Sequence, residues 1–341
     1  MDNTNFLPSQ PPNTPIEESA SPSSPGESPS GDPQQQQQQQ QLVFLVRGER
    51  LPVEIDLIGL REASPVFANL LRPYANEMQG ISAASSPIAS ARPALPREIA
   101  LPADTNAFAI KAILHCLAFP GQFIRPAPGP TAREFLFLAI EIARYELKGN
   151  LFVPWRAWFA AVVERARTAQ ELVWLVAAAW ALGQQRRFLE LGLDLMVQHQ
   201  GRTAAPFARL WVDDEVVKRV LPEGFRSIVG ERAAQLKMKV LDLVRHRADD
   251  DGCGCGERAE LTSDWVDVWD EHGWGSTVPL SDLLRAVEPL AEREATIVAD
   301  ECECMEERVL GPGVVRERLA EAKRQAMICF VCVERAGDHA H

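Results

Sequence analysis

The chain has 341 residues, a length that corresponds to about two domains. Hydrophobic residues make up 46% of it and charged residues 24%, as in ordinary globular proteins. The formal net charge of −12 disfavours binding to nucleic-acid phosphates and to anionic lipid, because both need a basic surface.

Cysteine content and apolar runs predict the compartment. Seven cysteines are too few for a disulfide scaffold, and their odd number is typical of a reducing compartment. The first residues lack the basic and apolar regions of a signal peptide. The longest charge-free apolar stretch, Val173 to Gly183, is shorter than the roughly 20 residues that a membrane span needs. We therefore expect a cytoplasmic or nuclear protein.

Residues 1–41 differ in composition from the rest of the chain. They are rich in Pro and Ser, end in an unbroken run from Gln34 to Gln41, and contain five acidic residues but no Lys or Arg. Such a segment cannot bury enough apolar surface to offset the entropy lost on ordering. We expect a disordered tail, 1–41.

The first elements predicted after the tail are a hairpin and two short helices. Leu42 to Ile55 contains two apolar runs on either side of Arg47 to Arg50, a pattern typical of a β-hairpin. Asp56 is a candidate N-cap for a short helix. Ser64 and Pro65 begin a second helix, because Ser caps helices and Pro favours the first helical position.

The rest of the chain is predicted as one strand followed by helices. The Pro- and Ser-rich residues 73–97 and the Gly-rich residues 249–256 are expected to be loops. Apolar spacing predicts a strand at 98–101 and helices at 105–119, 131–147, 151–167, 168–182, 184–199, 213–221, 227–247, 258–272, 280–309 and 312–335. This pattern predicts an α+β domain over 42–167 and an all-α domain over 168–336.

Three strings in this order resemble the BTB/POZ domain. They are VEIDLIGLREASPVF at Val53 to Phe67, IALPAD at Ile99 to Asp104, and IARYEL at Ile142 to Leu147. The resemblance covers residues 42–165, and the helices after residue 168 look like the C-terminal region of fungal BTB-like proteins. It implies a BTB/POZ-like fold in the N-terminal domain and a role in binding other proteins.

The resemblance also implies where partners bind and how the chain associates. The contact faces correspond to Leu42, Phe44 and Val46 on the first strand and to Asp56, Leu57 and Leu60 on the first helix. The swapped dimer of some family members uses an ordered segment before the first strand. Poly-Gln stands there in this chain, so we expect a monomer or a weak homodimer.

The cysteines form the main candidate for site chemistry. Six of the seven follow residue 250, and four of these, Cys253, Cys255, Cys329 and Cys332, could supply the thiolate ligands of a zinc site. Cys329 also continues the helical stripe of Leu319 and Ala326, which favours a buried thiol acting as a small hydrophobe. A redox pair is the third interpretation.

No motif for catalysis or for a cofactor is present in the sequence. GxSxG, HExxH and Walker A strings do not occur, and the six histidines are dispersed. We therefore predict a non-catalytic protein–protein interaction module, a scaffold or adaptor without a cofactor, that binds neither nucleic acid nor membranes. One alternative is the substrate adaptor of a cullin-type ubiquitin ligase. The other is a zinc-stabilised nuclear regulator.

Overall fold

A computed structural model of the chain describes residues 42–53, 57–73, 97–119, 129–147, 149, 151–199, 214–249, 256–272, 278–296 and 313–334. The predicted tail (1–41), the predicted cap Asp56 and most of the two predicted loops lie outside these residues. The described part of the chain is mostly helical, with one small sheet near its beginning.

The hairpin forms where the sequence predicts it. Leu42–Val46 (β1) and Glu49–Val53 (β2) pair antiparallel, joined by a two-residue turn. The turn residues Arg47 and Gly48 have φ of 52° and 84°, the left-handed conformation that such hairpins require. The next two residues, although predicted in the turn, already pair within β2.

Arg97–Ala100 (β3) completes a three-stranded sheet in the order β2-β1-β3, with β3 parallel to β1. Phe44, Leu51 and Ile99 lie opposite one another in register and are buried on the inner face of the sheet. On the outer face, Arg50 of β2 forms an ion pair with Glu98 of β3 across the central strand.

Two short helices follow the hairpin. Leu57–Ala63 (α1) is followed by a helix over 65–73 (α2), as predicted. The Ser64 hydroxyl accepts a hydrogen bond from the Phe67 amide at 3.1 Å, so Ser64 caps α2. The same hydroxyl donates to the Tyr145 carbonyl, which ties α2 to a distant part of the chain.

The next helices begin at polar caps. Thr131 and Thr168 each form a capping box with a glutamate three residues later, which satisfies the first amides of both helices. The helices are Ala107–Ala118 (α3), Ala132–Arg144 (α4), Phe152–Arg165 (α5), Ala169–Ala181 (α6) and Gln185–His199 (α7). Their bounds agree with the predicted helices within a few residues.

Six further helices complete the described structure. They are Glu215–Val220 (α8), Phe225–Ala248 (α9), Gly256–His272 (α10), Leu280–Thr296 (α11), Val314–Ala326 (α12) and Phe330–Glu334 (α13). The part of the predicted helix 280–309 beyond residue 296 lies outside the described residues.

The prediction of one continuous helix over 312–335 is wrong. The segment 312–335, predicted as one helix, breaks after Ala326, where Met327 adopts an extended conformation with ψ of 139°. Cys329 therefore does not continue the stripe of Leu319 and Ala326. Its side chain is buried, but in a different part of the core.

The buried hydrophobic side chains form two clusters joined by α9. The first cluster extends from the sheet through α7 and α8 to the first half of α9, where Phe225 and Val229 lie. The second is built on the second half of α9, with Leu236 and Val240, and on α10, α11 and α12. At 1.5 Å per residue, α9 is about 36 Å long, enough to serve both clusters.

The first cluster continues across residue 167. Leu138 of α4 and Leu175 of α6, on either side of this position, belong to the same buried cluster. All described residues fall within one unit of the chain, Gln40–His341. The domain boundary expected near residue 167 stays a prediction.

No helix in the described ranges combines the length and the apolar character needed to cross a bilayer.

Candidate interaction surface

Large hydrophobic side chains remain exposed at few positions. Within the described residues they are Ile58 (67% exposed), Phe108 (46%) and Met238 (65%). Ile58 lies on α1 and Phe108 in the first turn of α3, and these two helices contact each other. We call this pair of residues the α1–α3 surface. A contiguous exposed apolar patch marks a surface that binds a partner, and these two residues on contacting helices are the candidates for such a patch.

Helical spacing explains why both side chains point outward. Leu60 of α1 and Ile110 of α3 are fully buried. Ile58 and Phe108 each precede one of these buried residues by two positions, which is about 200° around a helix. The buried residues fix the inner face of each helix, so Ile58 and Phe108 lie on the other face.

A polar cluster holds the first turn of α3 in place. The Asn106 side chain caps α3 by accepting a hydrogen bond from the Ala109 amide at 3.0 Å. The Asn106 amide donates to Glu141 Oε1 of α4 at 2.9 Å. Arg144 donates to the Thr105 hydroxyl at 3.1 Å and pairs with a neighbouring carboxylate. The turn that carries Phe108 is therefore fixed to α4.

Glu141 is the buried acid of this cluster, with 1% of its surface exposed. Burial raises the pKa of its carboxyl above the usual value, while the Asn106 amide and the Arg144 guanidinium act in the opposite direction. Arg144 Nη1 lies 3.2 Å from Glu141 Oε2, and Arg144 also pairs with Asp104. These contacts join α3 to α4, so the cluster has a structural explanation.

The structure places the predicted contact residues mostly in the core. The side chains of Leu42, Phe44, Val46 and Leu60 are buried. In addition, β1 is the central strand and pairs along both edges, so its backbone is occupied as well. Asp56 and the side chain of Leu57 lie outside what the structure describes. A role of these residues in partner binding stays a prediction. The burial of four of these side chains does not favour it, because buried side chains are not available to a partner.

The outer edges of the sheet belong to β2 and β3. Glu49, Arg50 and Pro52 are exposed on β2, and Glu98 is exposed on the four-residue β3. Charged side chains, proline and short length are features that hinder the pairing of a further strand. A helix surface is therefore better suited than a strand edge to bind a partner here.

The cysteine candidates lie only partly within the described residues. Cys329 is buried against the first cluster, whereas Cys253, Cys255 and the side chain of Cys332 lie outside the residues that the structure describes. Where the structure does place side chains, three or more His, Cys, Asp or Glu residues do not converge as metal ligands would. The zinc, redox and structural interpretations of these cysteines stay predictions.

Neither Ile58 nor Phe108 is among the residues predicted from the resemblance. Ile58 stands inside the first of the strings that carry it, and Phe108 follows the second by four residues. Their helical spacing from Leu60 and Ile110 is the signal that could have found them. Comparison of the whole chain with protein-family models, with curated proteins and with solved structures finds no match.

Proposed function

We propose that the chain is a non-catalytic protein–protein interaction module built on a BTB/POZ-like N-terminal domain, and that it binds its partner through the α1–α3 surface. The observation that carries the proposal is the exposure of Ile58 and Phe108 on two contacting helices. Truncation of such apolar anchors at the centre of an interface is what reduces binding most.

The order of the elements supports a BTB/POZ-like fold. The elements follow the order that the resemblance implies: a hairpin, two short helices, a strand and further helices. The Ser-Pro-Val-Phe string begins α2 with Ser64 as its cap, and the Ile99 string contains β3. This agreement supports a BTB/POZ-like fold for residues 42–165.

The buried polar side chains hold separate parts of the chain together. Ser64, Thr105, Glu141 and Glu294 are buried, and each contacts a residue of another part of the chain. Ser64 donates to the Tyr145 carbonyl, Thr105 accepts from Arg144, and Glu141 accepts from Asn106. Glu294 of α11 pairs with Arg247 of α9. Contacts of this kind position helices and fit a module whose surface carries the function.

Affinity capture with matched variants tests the proposal. The tagged full chain, the Ile58→Ser/Phe108→Ser variant and a Met238→Ser control are each used to capture proteins from extracts of the native host. Met238 is a suitable control because it is equally exposed but lies on α9. We expect a partner that the wild type and the control retain and the double variant loses. A partner captured equally by all three proteins contradicts the proposal, and thermal unfolding checks that the variants are folded.

The capture experiment and a metal analysis of the purified chain separate the two alternatives. A cullin among the proteins lost from the double variant favours the ubiquitin-ligase adaptor. A zinc-to-protein ratio near one in the purified chain favours the zinc-stabilised regulator, since one structural site binds one ion through four ligands. A ratio near zero, which we expect, removes that alternative.

A further inference from the structure

A cleft of about 360 Å³ lies between α5 and the beginning of α7. Its walls include Trp155 and Phe159 of α5, and its rim carries three arginines, Arg156, Arg186 and Arg187. The volume lies within the range of pockets that hold small ligands or side chains of a partner. The cleft shares no residue with the α1–α3 surface.

The rim of the cleft is positive although the chain as a whole is acidic. Arg186 Nε and Arg187 Nη1 each lie 2.9 Å from Glu190, so one carboxylate serves two guanidinium groups. Arg156 adds a third guanidinium group to the lining, in a chain whose net charge is −12. The Arg186 side chain is 91% exposed and retains most of its five donors for another acceptor.

The first turn of α7 adds to this charge. It contains no acidic residue. The first helical hydrogen bond runs from the Phe188 amide to the Gln184 carbonyl at 2.9 Å, so the amides of Arg186 and Arg187 precede the hydrogen-bonded part of the helix. Amides at this end of a helix favour negative charge, which reinforces the arginines.

The aromatic wall gives the cleft an apolar side. Trp155 and Phe159 are almost fully buried, so their positions are fixed by the core. The Arg156 guanidinium lies 6.0 Å from the centre of the Trp155 ring, within the distance of a cation–π contact. This contact positions one arginine of the rim over a rigid base.

We infer that this cleft binds an acidic peptide segment of another protein, with side-chain oxyanions paired to Arg156, Arg186 and Arg187. Guanidinium groups form paired hydrogen bonds with carboxylates, and arginine clusters are a recurrent means of recognising acidic motifs. A small positive cleft on an acidic chain suits a short segment better than a nucleic acid, whose binding needs an extended basic surface. The cleft is a second binding site, independent of the proposed α1–α3 surface.

Fluorescence anisotropy of the full chain with a labelled glutamate-rich peptide tests this inference. The cleft variant is Arg156→Gln/Arg186→Gln/Arg187→Gln. The control variant, Arg226→Gln/Arg285→Gln/Arg318→Gln, removes the same charge from exposed arginines elsewhere. We expect the cleft variant to bind the peptide roughly tenfold more weakly than the wild type, and the control to bind within about twofold of it. Binding should weaken with added salt, because exposed charges are screened.

Other probes identify the source of the oxyanion. A peptide with phosphoserine in place of glutamate that binds more tightly, with the same dependence on the cleft arginines, supports the inference and assigns a phosphorylated segment. A glutamine-substituted peptide that binds as well as the glutamate peptide overturns it. So does an equal loss in both arginine variants, an unchanged affinity in the cleft variant, or binding of oligothymidine without binding of either acidic peptide.

Failure of this test is distinct from failure of the proposed function. The arginine substitutions leave Ile58 and Phe108 in place, so capture through the α1–α3 surface is measured separately on the same proteins.

Discussion

The ring of Phe330 lies 4.6 Å, centroid to centroid, from the ring of Trp180 on α6. Phe330 begins the short C-terminal helix α13, which follows the break at residues 327–329. It also contacts Phe188 edge-on, with ring centres 5.0 Å apart. The chain thus leaves the second hydrophobic cluster at the end of α12 and returns to the first.

Loss of this aromatic contact should destabilise the whole protein. We expect Phe330→Ala to lower the free energy of unfolding by about 2 kcal/mol, because it removes a half-buried ring and its two aromatic contacts. Urea denaturation followed by tryptophan fluorescence measures the change. Met238→Ala serves as the control and should change the free energy by no more than about 0.5 kcal/mol, since Met238 is exposed. Equal effects of the two substitutions contradict the role given to Phe330.

The pKa of Glu141 predicts a pH-dependent effect of its substitution. Burial raises this pKa in the folded state, so the ionised carboxylate at neutral pH destabilises the fold relative to the protonated acid. Glu141→Gln keeps an acceptor for the Asn106 amide and removes the charge. We expect the variant to be more stable than the wild type at pH 7, and the difference to vanish as the pH falls below the usual carboxyl value of 4.5.

Urea denaturation of both proteins across this pH range measures the difference. A variant less stable than the wild type at pH 7 shows that the pairing of Glu141 with Arg144 outweighs the cost of burying the charge.

The thiol of Cys116 should react slowly in the folded protein. Burial raises the pKa of this thiol from 9.0 to about 11, and the thiolate is the reactive form. At pH 8, the fraction of thiolate is about a hundredfold lower than in an unfolded chain. Alkylation with iodoacetamide, followed by peptide mass spectrometry, should therefore label Cys116 far faster in urea than in buffer. Equal rates of alkylation in urea and in buffer would show that burial does not protect the Cys116 thiol.

The BTB/POZ resemblance leads to a prediction of the oligomeric state from the segment before β1. Poly-Gln occupies the position where swapped dimers of the BTB/POZ family have an ordered segment, so we expect a monomer or a weak dimer. Light scattering coupled to gel filtration should give the mass of one chain at micromolar concentration. A tight dimer that persists after deletion of residues 1–41 contradicts this expectation.

Local signals in the sequence were enough to predict most of the fold. The hairpin, the caps Ser64 and Thr131 and the helices of the second half have short-range causes, namely turn residues, capping side chains and apolar spacing. The sequence does not indicate the break after Ala326, because the apolar spacing of 312–335 continues through it. Beyond the break, Phe330 packs against Trp180 in the other cluster, a long-range contact that spacing within one segment does not indicate.

The candidate surface was less predictable than the fold. The resemblance predicts partner contacts at Phe44 and Val46, but both lie on the central strand of the sheet and their side chains are buried. The exposure of Phe108 depends on which face of α3 meets the sheet, which tertiary contacts decide. The arginine cleft depends on α5 and the start of α7 lying side by side, and helical spacing in one segment does not indicate such a contact.

Hydrogen–deuterium exchange of the chain with and without its captured partner shows most directly whether the partner binds the α1–α3 surface. The proposal predicts that the partner slows exchange at amides of Leu57–Ala63 and Ala107–Ala118, the two helices of the α1–α3 surface. The Ile58→Ser/Phe108→Ser variant should show no such protection at the same partner concentration. Protection confined to other segments, with α1 and α3 unchanged, would contradict the account.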